Sequence, residues 1–188
     1  MADAPPCLSH AKRFGLALVA GALGVSACAP LDQTPSATTM PAASPSPLAV
    51  DPLALERQTD RADPIYRLWC KSCHGDALQG LTVEFRMTWP EEDQNCWQSK
   101  CHSENHPPGG FILPRTVPAL VGPGALSKFP TAAELYAFIR AAMPFQEPGI
   151  LDEQDYWDLT AYLLRKNGLP IDDSGVGPDN ASSIELGS

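Results

Sequence analysis

Positive charge is scarce in this sequence. Thirteen Lys and Arg stand against 22 Asp and Glu in 188 residues, a formal charge of −9 at pH 7. That balance argues against nucleic acid as a partner, because binding phosphates requires a basic face. An acidic surface suits solubility and encounter with a basic partner instead. Long apolar runs are also missing. The most apolar stretch, residues 14–25, is too short to be a stable transmembrane helix. Large apolar residues at a helical or strand period are absent from the first sixty residues and the last eighteen. One compact domain is therefore expected, over residues 61–170. The tail, residues 171–188, is rich in Asp, Gly and Ser and is expected to be disordered. A domain of this length is near the small end for a self-sufficient core.

The amino terminus reads as an address. Lys12 and Arg13 precede the short apolar run, which is a signal-peptide pattern. Val25-Ser26-Ala27-Cys28 resembles the bacterial lipobox, in which the cysteine becomes the acylated first residue. Residues 1–27 are then a leader and Cys28 is a lipid anchor, the alternative being ordinary cleavage nearby with Cys28 a free thiol. Residues 28–60 form a linker rich in Pro, Ala and Ser, with proline at 30, 35, 41, 45 and 47. This composition gives an extended, semi-rigid tether. The expected location is extracytoplasmic, with the lipid in a bacterial membrane and the head on its periplasmic or outer face.

Six cysteines are present. Cys7 leaves with the leader and Cys28 takes the lipid, which leaves Cys70, Cys73, Cys96 and Cys101 for the domain. Cys70-Lys71-Ser72-Cys73-His74 has the C-x-x-C-H spacing in which two thiols add across haem vinyl groups and the next histidine reaches the iron. A zinc half-site or a redox C-x-x-C would leave His74 without a use. Haem c is the expected cofactor, and it would bury apolar surface that a chain this small cannot cover alone.

Around this motif the chain resembles the class I cytochromes c. Tyr66 stands four residues before Cys70, where the family carries an aromatic, and Ala62 stands where the family usually has Gly. Gly75 follows the histidine, as the family prefers. Pro118-Ala119-Leu120-Val121-Gly122 resembles the family's proline loop. Thr131-Ala132-Ala133-Glu134 reads as a capping box opening a helix with Leu135, Phe138 and Ile139 on one side, and that helix runs into Met143-Pro144. A last helix, capped by Asp152, carries Tyr156, Trp157, Leu159, Tyr162, Leu163 and Leu164. The resemblance implies an all-α class I cytochrome c fold, with Met143 as the sixth iron ligand and the Pro118 carbonyl orienting His74. His/Met ligation closes the iron to small molecules, so electron transfer is implied rather than substrate chemistry.

Residues 82–115 form a loop-rich insertion between the haem motif and the proline loop. It holds Cys96-Trp97-Gln98-Ser99-Lys100-Cys101-His102, the less common C-x-x-x-x-C-H attachment spacing. A second haem on Cys96, Cys101 and His102 is expected. A Cys96–Cys101 disulfide, or a small metal site using Cys96, Cys101, His102 and His106, are the alternatives. Met87 and His106 are equal candidates for the sixth ligand of that second iron. His106 is the better donor but lies only four residues from His102, at most about 14 Å of chain.

The expected protein is a membrane-tethered dihaem electron carrier, not an enzyme. It would work between a quinol-oxidising complex and an oxidase, reductase or photosynthetic reaction centre, as a mobile carrier or a complex subunit. A small dihaem peroxidase or reductase with an open second iron is the rival, with a monohaem carrier behind it.

Overall fold

The computed structural model describes residue 51 and residues 53–187. The leader, Cys28 and the linker up to residue 50 lie outside the described residues. No strand occurs among the described residues. Five helices carry the fold: α1 (Ala54–Trp69), α2 (Lys71–His74), α3 (Val83–Arg86), α4 (Ala132–Ala142) and α5 (Glu153–Lys166). None of them is long and apolar enough to cross a membrane.

The core sits where α1 and α4 each pack against α5. Ala62 on α1 and Ala161 on α5 are both fully buried, as small side chains are where helices approach closely. Tyr66 and Tyr162 meet across the α1–α5 contact with ring centroids 5.5 Å apart, and Tyr136 stacks on Trp157 between α4 and α5 at 3.6 Å. One ion pair crosses α1 and α5. Arg61 Nε and Nη2 donate to the two carboxylate oxygens of Asp158 at 2.6 and 2.7 Å, and Gln154 Nε2 donates to Asp158 Oδ1 at 2.8 Å. Asp158 is fully buried while Arg61 is half-exposed, so the guanidinium and the amide replace the water that the carboxylate has lost.

Helix α4 opens as expected, with Thr131 and Glu134 forming a reciprocal capping box. Asp152 occupies the N-cap position of α5 but makes no side-chain cap bond, contrary to the role expected of it. Helix α1 begins at Ala54, well before residue 61 where the domain was expected to start, and runs through Pro64. Its buried stripe is Leu55, Gln58, Ala62 and Tyr66, a helical spacing that contains one polar residue and one small one. A hydrophobic pattern does not register such a stripe.

The tail departs furthest from expectation. Residues 171–187 lie on the domain with Val176, Ala181 and Leu186 buried in the main core. Gln58 Nε2 donates to the Val176 carbonyl, and the Val176 N–H donates back to Gln58 Oε1, both at 2.8 Å. Leu55 N–H donates to the Asp173 carbonyl at 3.1 Å, and Ala132 N–H to the Ile184 carbonyl at 2.9 Å. The tail thus supplies acceptors to the first turns of both α1 and α4, where helical N–H groups have none of their own. Its apolar residues dock one at a time through the backbone, so no period marks them.

Two predictions follow from these contacts. Removing residues 173–188 should destabilise the haem-loaded protein by about 3–5 kcal/mol, from re-exposing Val176 and Leu186. Guanidinium unfolding checks this, and an unchanged midpoint would mean that the tail is not packed in solution. Arg61→Ala should cost about 2–3 kcal/mol by leaving Asp158 buried without its cation, and Asp158→Asn in the same background should recover part of the loss.

Candidate haem centre

α1 ends at Trp69 and α2 restarts at Lys71, so the chain bends at Cys70. Cys70, Cys73 and His74 then face a cavity of about 250 Å3 with mostly apolar walls, which Met143 closes from the end of α4. Tyr66, Pro118 and Leu163 also line it. The structure thus brings Cys70, Cys73, His74, Met143, Tyr66 and Pro118 together around one space.

His74 is buried. Its Nδ1 lies 3.1 Å from the Pro118 carbonyl. A carbonyl only accepts, so Nδ1 carries the proton and Nε2 presents its lone pair. Burial lowers the histidine pKa, with the hydrogen bond to Pro118 opposing, which favours the neutral ligand form. Both thiols are free. Burial pushes Cys70 up to about 12, with the neighbouring Cys73 adding to it, and burial raises Cys73 as well. Tyr66 O–H donates to the Gly75 carbonyl at 2.7 Å, tying α1 to the turn after the histidine. Tyr156 O–H donates to the Met143 carbonyl at 3.0 Å and holds the methionine's backbone from behind.

Two thiols, one neutral imidazole and one thioether around an apolar space fit haem c. The walls carry few polar atoms, and a flat apolar macrocycle needs few.

Residues 57–163 match the protein family described as Cytochrome C oxidase, cbb3-type, subunit III. The chain belongs to this cytochrome c family. No curated protein matches it in sequence. Among solved structures, the crystal structure of the sulfane dehydrogenase SoxCD from Paracoccus pantotrophus includes a similar chain. The two are 26% identical with a TM-score of 0.42, and the match covers 68% of this chain and 52% of that one. This chain spans about half the length of that one. A cytochrome c domain carries haem c and transfers electrons.

Gly80 escaped the sequence reading of this cytochrome. It has φ +79°, and a Cβ there would lie 2.6 Å from the Val117 carbonyl and 2.8 Å from Ala119 N. Around it the backbone is zipped to the proline loop: Leu81 N–H donates to Val117 O at 3.3 Å, and Leu120 N–H to Leu78 O at 2.8 Å. The Gly80 N–H itself donates to the His74 carbonyl at 2.8 Å. Gly80 thus lets the proline loop come close enough for Pro118 to reach the imidazole. A glycine in the turn after the motif carried no signal of this, because its reason lies in a distant segment.

Most of the insertion lies outside that cavity, which it reaches with Leu113 and Pro114, and it packs around its own small cluster. Phe85, Cys96 and Leu113 are buried in it. Arg86 and Arg115 each place a guanidinium 5.2 Å from the centre of the Trp97 ring. The Trp97 indole N–H donates to the Leu113 carbonyl at 3.0 Å, and Leu113 also lines the main cavity. Burial raises the Cys96 pKa; Arg86 opposes this and nearby Cys73 adds to it. Cys96 and Cys101 are free thiols.

His102 repeats the arrangement of His74. Its Nδ1 lies 3.3 Å from the Phe111 carbonyl, and its main-chain N–H donates to Cys96 O at 2.9 Å, as that of His74 does to Cys70 O at 2.9 Å. Met87 is 64% exposed, and His106 Nδ1 is turned onto the carbonyl of its neighbour Pro107 at 2.9 Å. No three His, Cys, Asp or Glu converge to hold a metal ion among the described residues. Arg86 Nε is a buried side-chain donor with no acceptor.

Gly80→Ala should lower stability by more than about 1 kcal/mol and weaken the Pro118–His74 bond, since Ala is strained at positive φ and here also meets backbone. Gly122→Ala, at φ +101° in open space, meets only the conformational cost. A rise in haem midpoint potential for Gly80→Ala but not for Gly122→Ala would separate the two effects, because losing the carbonyl acceptor makes the imidazole a less basic ligand and favours the ferric state less.

Proposed function

We propose that this cytochrome is a membrane-tethered dihaem electron carrier. The first haem is bound by Cys70 and Cys73 and ligated by His74 and Met143, with Pro118 orienting His74. The observation that carries this is the convergence of those donors on one apolar cavity. Bound there, the haem supplies a reversible one-electron couple. The chain's own work is to hold Nε2 of His74 in its neutral form, to close the other side with the Met143 thioether, and to keep water out with the surrounding apolar walls.

The second haem is bound by Cys96 and Cys101 and ligated by His102, with Met87 or His106 as sixth ligand. Two observations support it. His102 has its Nδ1 committed to a carbonyl as His74 does, and the buried Arg86 Nε has an unmet need for an acceptor. The alternative of a small metal site has no converging donor set among the described residues. The Cys28 lipid and the Pro-rich linker hold the head close to a membrane on the extracytoplasmic side. Its partners are a quinol-oxidising complex on one side and an oxidase, reductase or reaction centre on the other. The family's description as an oxidase subunit favours an oxidase among these.

The haem-to-chain ratio of protein matured with the haem-attachment machinery is expected to be two, and to fall to one in Cys96→Ala/Cys101→Ala with the His74 site intact. A ratio of one in the parent protein would leave a single-haem carrier. The reduced protein is expected to be inert to carbon monoxide. Ready binding at neutral pH would instead mark an open iron and a peroxidase or reductase.

A further inference from the structure

Phe111 touches His102 on one side and, through Phe145, the wall of the first cavity. Its backbone carbonyl accepts from His102 Nδ1, and its ring lies 4.4 Å from the imidazole centre at a 37° tilt. On its other side the ring meets Phe145 edge-on at 5.7 Å. Phe145 lies two residues after Met143 and lines the first cavity. The chain around Phe111 leaves it little freedom. Gly110 N–H donates to Pro107 O at 2.9 Å, which turns the segment back, and Leu113 N–H donates to the His102 carbonyl at 3.1 Å. His102 is therefore held through both its ring and its backbone by residues 111–113, while Phe145 meets that segment from the methionine loop.

We propose that Phe111 is a positioning residue that fixes His102 against the loop following Met143, and that the Phe111–Phe145 contact is the route by which an electron crosses between the two haems. The proposal rests on the two-haem reading above. With both haems bound, the step would be a one-electron exchange in which one iron is oxidised from ferrous to ferric as the other is reduced from ferric to ferrous, with no bond made and no proton moved. A competing route would run between Cys96 and Cys73, which lie near enough to influence each other, and passes through neither phenyl ring.

The test uses the full chain with its haems attached. The haem-to-chain ratio is measured first and both midpoint potentials are titrated. Flash reduction by a photoexcited flavin with a sacrificial donor then gives the rate of exchange between the haems, corrected for each variant's own driving force. Phe145 is 42% exposed, so Phe145→Leu removes the ring contact without emptying the core, and Phe111→Leu keeps the backbone carbonyl. Both variants should slow the exchange several-fold, and Phe111→Tyr, which keeps the ring, should hold it near the parent rate. Two haems per chain with an exchange rate untouched by either leucine variant would overturn this proposal alone and assign the crossing to the Cys73–Cys96 side. One haem per chain would overturn it together with the two-haem reading.

Discussion

The hydrogen bond from His74 Nδ1 to the Pro118 carbonyl, 3.1 Å long, is the constraint on which the centre depends. It sets the imidazole tautomer, and with it which nitrogen is free to ligate. Each end is held by a separate part of the fold. His74 is fixed by the bend at Cys70 and by Tyr66, which is itself pinned between Tyr162 and the Gly75 carbonyl. Pro118 is fixed by the backbone zipper to residues 78–81, which closes only because Gly80 has no side chain. The α1–α5 crossing, with Arg61 and Asp158 at its centre, keeps the two halves in register.

The insertion applies the same device on a different scaffold. His102 also gives its Nδ1 to a backbone carbonyl, yet no long helix carries it. Turns, a tryptophan between two arginines and a few buried residues take the helix's place. The smaller cluster touches the main domain through Leu113 at the cavity wall and through Phe111 at the methionine loop. Two histidines are thus oriented independently but placed through shared walls.

How far the sequence revealed this depended on how local each cause is. The spacing of Cys70, Cys73 and His74 is dictated by covalent chemistry within five residues, and the Thr131–Glu134 cap by one turn of helix, so both were legible. Gly80 was not, because what requires a glycine there is the backbone of Val117 and Ala119. The early start of α1 was hidden by Gln58, a buried polar residue whose partner is Val176 in the tail. The packed tail was hidden in turn because its apolar residues follow no period. Those two misjudgements share a cause: each segment is stabilised by the other, and neither shows its role alone.

The clasp between Gln58 and Val176 also bears on how the domain carries load. The chain amino-terminal to the domain enters at α1, so tension along a tether would arrive at that helix first. A helix held only by its own ladder would peel from its end, but here the tail grips the first turn at Leu55, clasps Gln58 and runs on to α4 through Ile184. A pull at the amino terminus is thereby shared between α1 and the opposite end of the chain before it reaches the bend at Cys70. The tail ties the first turns of α1 and α4 to each other, ahead of the bend at Cys70 that places the histidine.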